Sequence, residues 1–130
     1  MLNRLKKLWW LLPAVLVVAV VAFVLWAGAA AEPMPQALAA LEPDAQVAVE
    51  TDPWLVFRPL EREPVTGLVL YPGGRVDPRA YAPTAHAIAA EGYLVAIVPM
   101  PLNLAFFAPG RVEEVMDAFP GVEHWAVGGH

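Results

Sequence analysis

Cysteine is absent from the sequence, which excludes disulfide bonds and thiolate chemistry and leaves an oxidising compartment permitted without being indicated. Positive charge is scarce. Eight Lys and Arg stand against thirteen Asp and Glu, and three of the eight, Arg4, Lys6 and Lys7, lie at the extreme N-terminus. Beyond residue 31, five basic residues therefore face all thirteen acidic ones, a formal charge of −8. Such a surface excludes nucleic acid as a partner and does not adhere to anionic lipid. No His, Asp or Glu pair has metal-ligand spacing, so neither a metal nor a cofactor is expected. Internal repeats are missing too.

Charge is missing altogether from Leu8 to Ala31, and this run raises the hydrophobic fraction to 58%, above the roughly 45–50% of soluble chains. As a helix the run spans roughly 36 Å, enough to cross a hydrocarbon core of about 30 Å with some tilt. Trp9, Trp10 and Trp26 stand near its two ends, as interfacial anchors do, and Arg4, Lys6 and Lys7 favour a cytoplasmic N-terminus. Residues 1–31 are thus expected to form a single transmembrane anchor, with the bilayer as partner of residues 8–31 and the rest of the chain outside the cytoplasm. A cleaved signal is the alternative, since Ala29 and Ala31 make a small-x-small site; the apolar run is longer than a usual signal core.

Residues 32–45 combine three prolines with a short Ala/Leu patch and read as a linker of at most a helical turn or two, spacing a domain at 46–130 from the bilayer. QVAVET and WLVFRP then predict two antiparallel strands, with Trp54 and Phe57 in the core. The segment from Thr66 to Tyr71 is apolar without alternation, the pattern of a strand buried on both faces of a parallel sheet. YLVAIVPM repeats it, and HWAVGGH supplies a third apolar strand that runs into glycine and is expected to leave one edge of the sheet uncovered. Between them lie two helices: one over 78–91, capped by Asp77 with Pro78 at its first position and closed by Gly92, and one over 111–119 that buries Val112, Val115, Met116 and Phe119. The order β-β-β-α-β-α-β predicts an α/β fold, an antiparallel strand pair followed by parallel β-α-β-α-β with right-handed crossovers.

In open parallel sheets, ligands collect at the carboxyl ends of the strands. The most informative stretch is TGLVLYPGGRVD, residues 66–77: strand, glycine loop, helix start. Gly73 and Gly74 let the backbone turn sharply and offer N–H groups to a negative charge near a helix N-terminus. The other two carboxyl ends are PMPLNLAFFAPG and the terminal Gly128, Gly129 and His130. Phe106 and Phe107 either cover the core or line an acyl pocket. His86 is expected to face solvent, and His124 to sit at a strand end.

On GLVLYPGGRVDPRAY, the helix to Gly92, YLVAIVPMP and AVGGH, the chain from about residue 46 resembles the N-terminal half of α/β-hydrolases of the dienelactone-hydrolase and esterase type. The resemblance implies a serine hydrolase acting on a small-molecule ester or related acyl bond. It also implies an incomplete α/β-hydrolase fold, because Gly129 matches the first glycine of the G-x-S-x-G elbow, His130 the following residue, and the serine is expected one position later. Gly73, with Gly74 beside it, takes the place of the loop whose backbone N–H faces the oxyanion. Tyr71, Pro72 and PMPLNL depart from the family's commoner residues. The acid and histidine of the triad follow the serine in this family, so the 130 residues themselves are expected to be inactive. Two rivals stay open: a non-catalytic membrane-tethered binding module, and a nucleotide-binding domain, the latter disfavoured because YPGGRV lacks the G-x-G-x-x-G pattern.

Overall fold

Strand β4 (Leu94–Ile97) shows how the sheet is built, because all four of its residues are buried. Val95 and Ile97 pack in one apolar cluster while Leu94 and Ala96 pack in another, the period-2 alternation of a strand covered on both faces. In the computed structural model, which describes residues 9, 11–104, 107 and 110–129, β4 lies in the middle of a five-stranded mixed sheet of order β1-β2-β4-β3-β5. β1 (Val47–Glu50) pairs antiparallel with β2 (Leu55–Pro59), and β2 antiparallel with β4. β3 (Thr66–Tyr71) pairs parallel with β4 on one side and with β5 (His124–Gly129) on the other. The expected antiparallel pair and parallel β-α-β-α-β are both present.

The chain opens with α1 (Leu11–Gly28), eighteen residues with no charge and almost wholly exposed, long and apolar enough to cross a membrane. Pro13 is tolerated there because the first-turn N–H groups have no intrahelical partner. The observed helix is shorter than the apolar run from Leu8, and Arg4, Lys6, Lys7 and Trp10 lie outside the described residues. Trp9 and Trp26 are exposed at or near its two ends.

Residues 32–45 do not stand off as a spacer. α2 (Pro35–Ala39) buries Ala37, and Ala40 and Leu41 pack on the core beside α3 (Ala82–Ala90). Asp44 closes the segment by accepting the backbone N–H groups of Gln46 and Val47, both at 2.8 Å, which start β1. Those two bonds, with a smaller contribution from His86, hold its carboxyl below the usual carboxylate range.

α3 and α4 (Arg111–Ala118) cover opposite faces of the sheet. Ala82, Ala85 and Ala89 of α3 meet Leu55, Phe57, Val95 and Ile97; Val115 of α4 meets Val56, Val69, Ala96 and Val98, with Val112 and Phe119 at its margin. Phe57 is a core residue as expected, whereas Trp54 is partly buried and packs against the second cluster. The α3 helix begins later than the sequence suggests: Pro78–Tyr81 form a 3-10 turn, and the α-helix starts at Ala82 with Pro83, which has no N–H to donate, in its first turn. Gly92, at φ 98°, ends the helix.

Two expectations are corrected, and a third point agrees. β3 is not buried on both faces: Val69 is fully buried, whereas Leu68 and Leu70 are only partly so. The reason is that α3 lies over β2 and β4 and leaves the same face of β3 half covered. β5 is an edge strand, as expected, with Val127 55% exposed. His86 does not face solvent: it is half-buried, its ring edge-on to Phe57 at 6.2 Å and its Nε2 3.6 Å from Asp44.

Candidate functional site

The loops after β3 and β4 leave the sheet toward opposite faces, since α3 follows one and α4 the other. Adjacent parallel strands whose connections diverge leave a crevice at their carboxyl ends, the usual ligand position in such sheets. The corresponding place here is where residues 72–77 meet residues 98–104.

Three residues other than glycine have positive φ among those described: Arg75 (60°), Leu102 (54°) and Asn103 (53°). All three line this crevice. Each such conformation costs roughly 1–2 kcal/mol, so their concentration marks a place where surrounding contacts impose the backbone shape. The contacts are visible: the Arg75 N–H donates to the Asn103 carbonyl at 3.1 Å, the Val76 N–H donates to the Gly73 carbonyl at 3.0 Å, and Asn103 N–H donates to the Met100 carbonyl at 3.0 Å. The left-handed turn therefore falls on Arg75, not on the glycines expected to supply it. Gly74 has no steric need to be glycine, because a Cβ there would stand 3.6 Å from Leu104.

The two glycines differ in what their amides do. Gly73 is buried and its N–H donates to the Tyr81 hydroxyl at 3.0 Å, so this amide is held by the protein. Gly74 is exposed, and its N–H makes no hydrogen bond among the described residues. Of the pair, Gly74 is the donor free to meet a ligand.

Asp77 fixes the exit of the loop. Its carboxylate accepts the Arg79 backbone N–H at 2.9 Å and the Arg79 guanidinium at 2.7 Å, capping the 3-10 turn that carries Tyr81. The Arg79 side chain holds the Asp77 carboxyl below the usual carboxylate range, and the pairing raises Arg79.

The end of β5 stands directly beside this loop. Tyr71 is in register with Gly129, and a Cβ on Gly129 would lie 3.6 Å from the Tyr71 Cβ. The strand end expected to carry an elbow and the glycine loop expected to face it are thus neighbours at one sheet edge. His130 and Phe106 lie outside the described residues, and Phe107 is exposed. His124 begins β5, at the amino end of the strand, in register with Thr66 and away from this loop.

What sequence reasoning missed is the end of α1. Arg75 Nε donates to the Trp26 carbonyl at 2.9 Å and Nη2 to the Ala29 carbonyl at 3.1 Å, while its guanidinium stacks 4.6 Å from the Trp26 ring centroid. Asn103 Nδ2 donates to the Ala27 carbonyl at 3.3 Å, and Ala31 bridges to Val76. A signal existed in hindsight: a helix of this kind leaves its last four carbonyls without intrahelical donors, and an Arg or Asn in a nearby loop is a natural partner.

Residues 67–130 match the family model described as Alpha/beta hydrolase family. No curated protein and no solved structure matches the chain.

Proposed function

Residues 67–130 belong to the alpha/beta hydrolase family, and on that premise we propose that the protein is a membrane-anchored serine hydrolase of an ester or related acyl bond. α1 is the anchor, and the sheet's carboxyl edge holds the chemistry. The observation that carries the reading is the juxtaposition of Gly129 with Tyr71, which sets the elbow position next to the Gly73–Gly74 loop.

The elbow pattern laid on Gly129 and His130 assigns the nucleophile to the position that follows His130. A serine there attacks the acyl carbon, its proton passes to a histidine base, and the alcohol leaves; water then releases the acid from the acyl-enzyme. The charge that collects on the carbonyl oxygen falls between the N–H after the serine and the Gly74 N–H. Gly73 is the support: its bond to Tyr81 fixes the peptide plane that aims the next amide. Loss of one such donor costs about 2.7–4 kcal/mol of barrier, or roughly 10²–10³ in rate.

Treating membranes that hold the native protein with a fluorophosphonate, then mapping the adduct, tests both halves of the reading. The expected result is one labelled serine immediately after the His130 position, on a protein that resists alkaline extraction. An unlabelled protein sinks the hydrolase half, and release by alkali sinks the anchor.

A further inference from the structure

The end of α1 and the candidate crevice share their hydrogen bonds, and this decides which way the crevice faces. α1 has eighteen residues, about 27 Å of helix, close to the roughly 30 Å of a hydrocarbon core. Its last turn therefore emerges at headgroup level, where the exposed Trp26 is at home. The Trp26 and Ala27 carbonyls are among the four that a helix end leaves unpaired, and the side chains that satisfy them come from the two loops of the crevice, Arg75 after β3 and Asn103 after β4. Arg75 also sets a cation on the negative end of the helix dipole. Ala27, the one buried residue of α1, lies in this same last turn.

We propose that the carboxyl edge of the sheet lies against the bilayer surface, and that the substrate is a membrane-borne amphiphilic acyl ester drawn from the leaflet where α1 emerges, not an ester dissolved in water. The substrate class rests on the hydrolase reading above; the orientation does not. The carbonyl of an ester lipid sits at the boundary between headgroups and chains, the depth at which α1 holds Arg75 and the neighbouring Gly74 amide. The crevice is furnished for such a molecule. Leu104 lies beside Gly74, and Phe107 of the same loop is 47% exposed. The formal charge of −8 beyond residue 31 gives no pull toward anionic lipid, so the tether at α1, and not surface charge, sets the approach.

Because the chain has no cysteine, a single introduced one reports cleanly on depth. Leu104→Cys at the crevice and Glu123→Cys at the opposite edge are each labelled with an environment-sensitive fluorophore, in the full chain reconstituted into phosphatidylcholine vesicles. A nitroxide on the lipid headgroup is expected to quench the label at 104 and to leave that at 123 near its unquenched intensity. Equal quenching of the two, or stronger quenching at 123, overturns the orientation. The unsubstituted chain gives a second reading through phosphatidylcholine carrying a diazirine near its acyl ester. Adducts are expected within 71–76 and 98–104 as well as along α1; adducts confined to α1, or equal labelling of the crevice by a short water-soluble diazirine ester, overturn the substrate class. Crevice adducts on a protein that no fluorophosphonate labels would remove the hydrolase reading, and with it the substrate assignment, while the orientation stands.

Discussion

Gly92 shows how much a single residue can carry. It sits at φ 98° after α3, and the methyl of an alanine would run into the Arg62 guanidinium, which donates to the Glu91 carbonyl at 2.8 Å. Gly92→Ala should lower stability by about 1–2 kcal/mol from the backbone alone, read as a lower denaturant midpoint with an unchanged slope. Asp77 gives a pH signature. Its carboxyl titrates below the ordinary value in the folded protein because Arg79 binds the charged form, so the unfolded chain takes up the proton first as pH falls. The stability Asp77 contributes is therefore complete above the unfolded carboxylate value of about 4 and is lost as pH drops through the lower folded value. Thermal midpoints of wild type and Asp77→Asn should differ at neutral pH and converge in that acid range. A constant offset at every pH would remove the Asp77–Arg79 pair from the account.

Among the elements, the coupling of α1 to the sheet rests on Arg75. Arg75→Gly removes both side-chain bonds to the helix end and the stacking on Trp26, yet it relieves a left-handed conformation that glycine adopts freely. The expected outcome is a domain that melts at the same temperature or higher, with faster amide exchange at Val76 and Asn103, whose bonds lie in the loops Arg75 ties together. Slower exchange there, or a lower melting temperature, would mean that the side chain supports the fold and not the junction. The same reasoning explains why residues 32–45 pack instead of spacing: Ala37, Ala40 and Leu41 supply apolar surface where α3 has a face to cover.

For the whole molecule, β5 is the exposed part of the sheet. It lies at an edge with Val127 55% exposed and Ala126 exposed on the other face, a surface that pairs readily with a second strand. Val127→Lys should leave the far-ultraviolet circular dichroism unchanged and lower the associated fraction in light scattering. Undiminished association would place the sticky surface elsewhere, with α1 the first suspect.

The sequence alone determined the element types and most of their order, because each depends on a local period: unbroken apolar runs at 66–71 and 94–97, a helical stripe at Val112, Val115 and Phe119, punctuation at Pro78, Gly92 and Pro120, and an uncharged span long enough for a membrane. It also marked the glycine loop, since that pattern is contiguous. The tertiary structure decided which amide is free, Gly74 and not Gly73, since that depends on Tyr81 reaching back across a turn. It moved the left-handed residue to Arg75 and half-buried His86 against Phe57, both consequences of where helices and loops settle on the sheet. The direction the crevice faces is the furthest removed from local pattern. It follows from two side chains, Arg75 and Asn103, that find the unpaired carbonyls of a helix end nearly fifty and more than seventy residues earlier in the chain, a partnership that only the folded geometry can create.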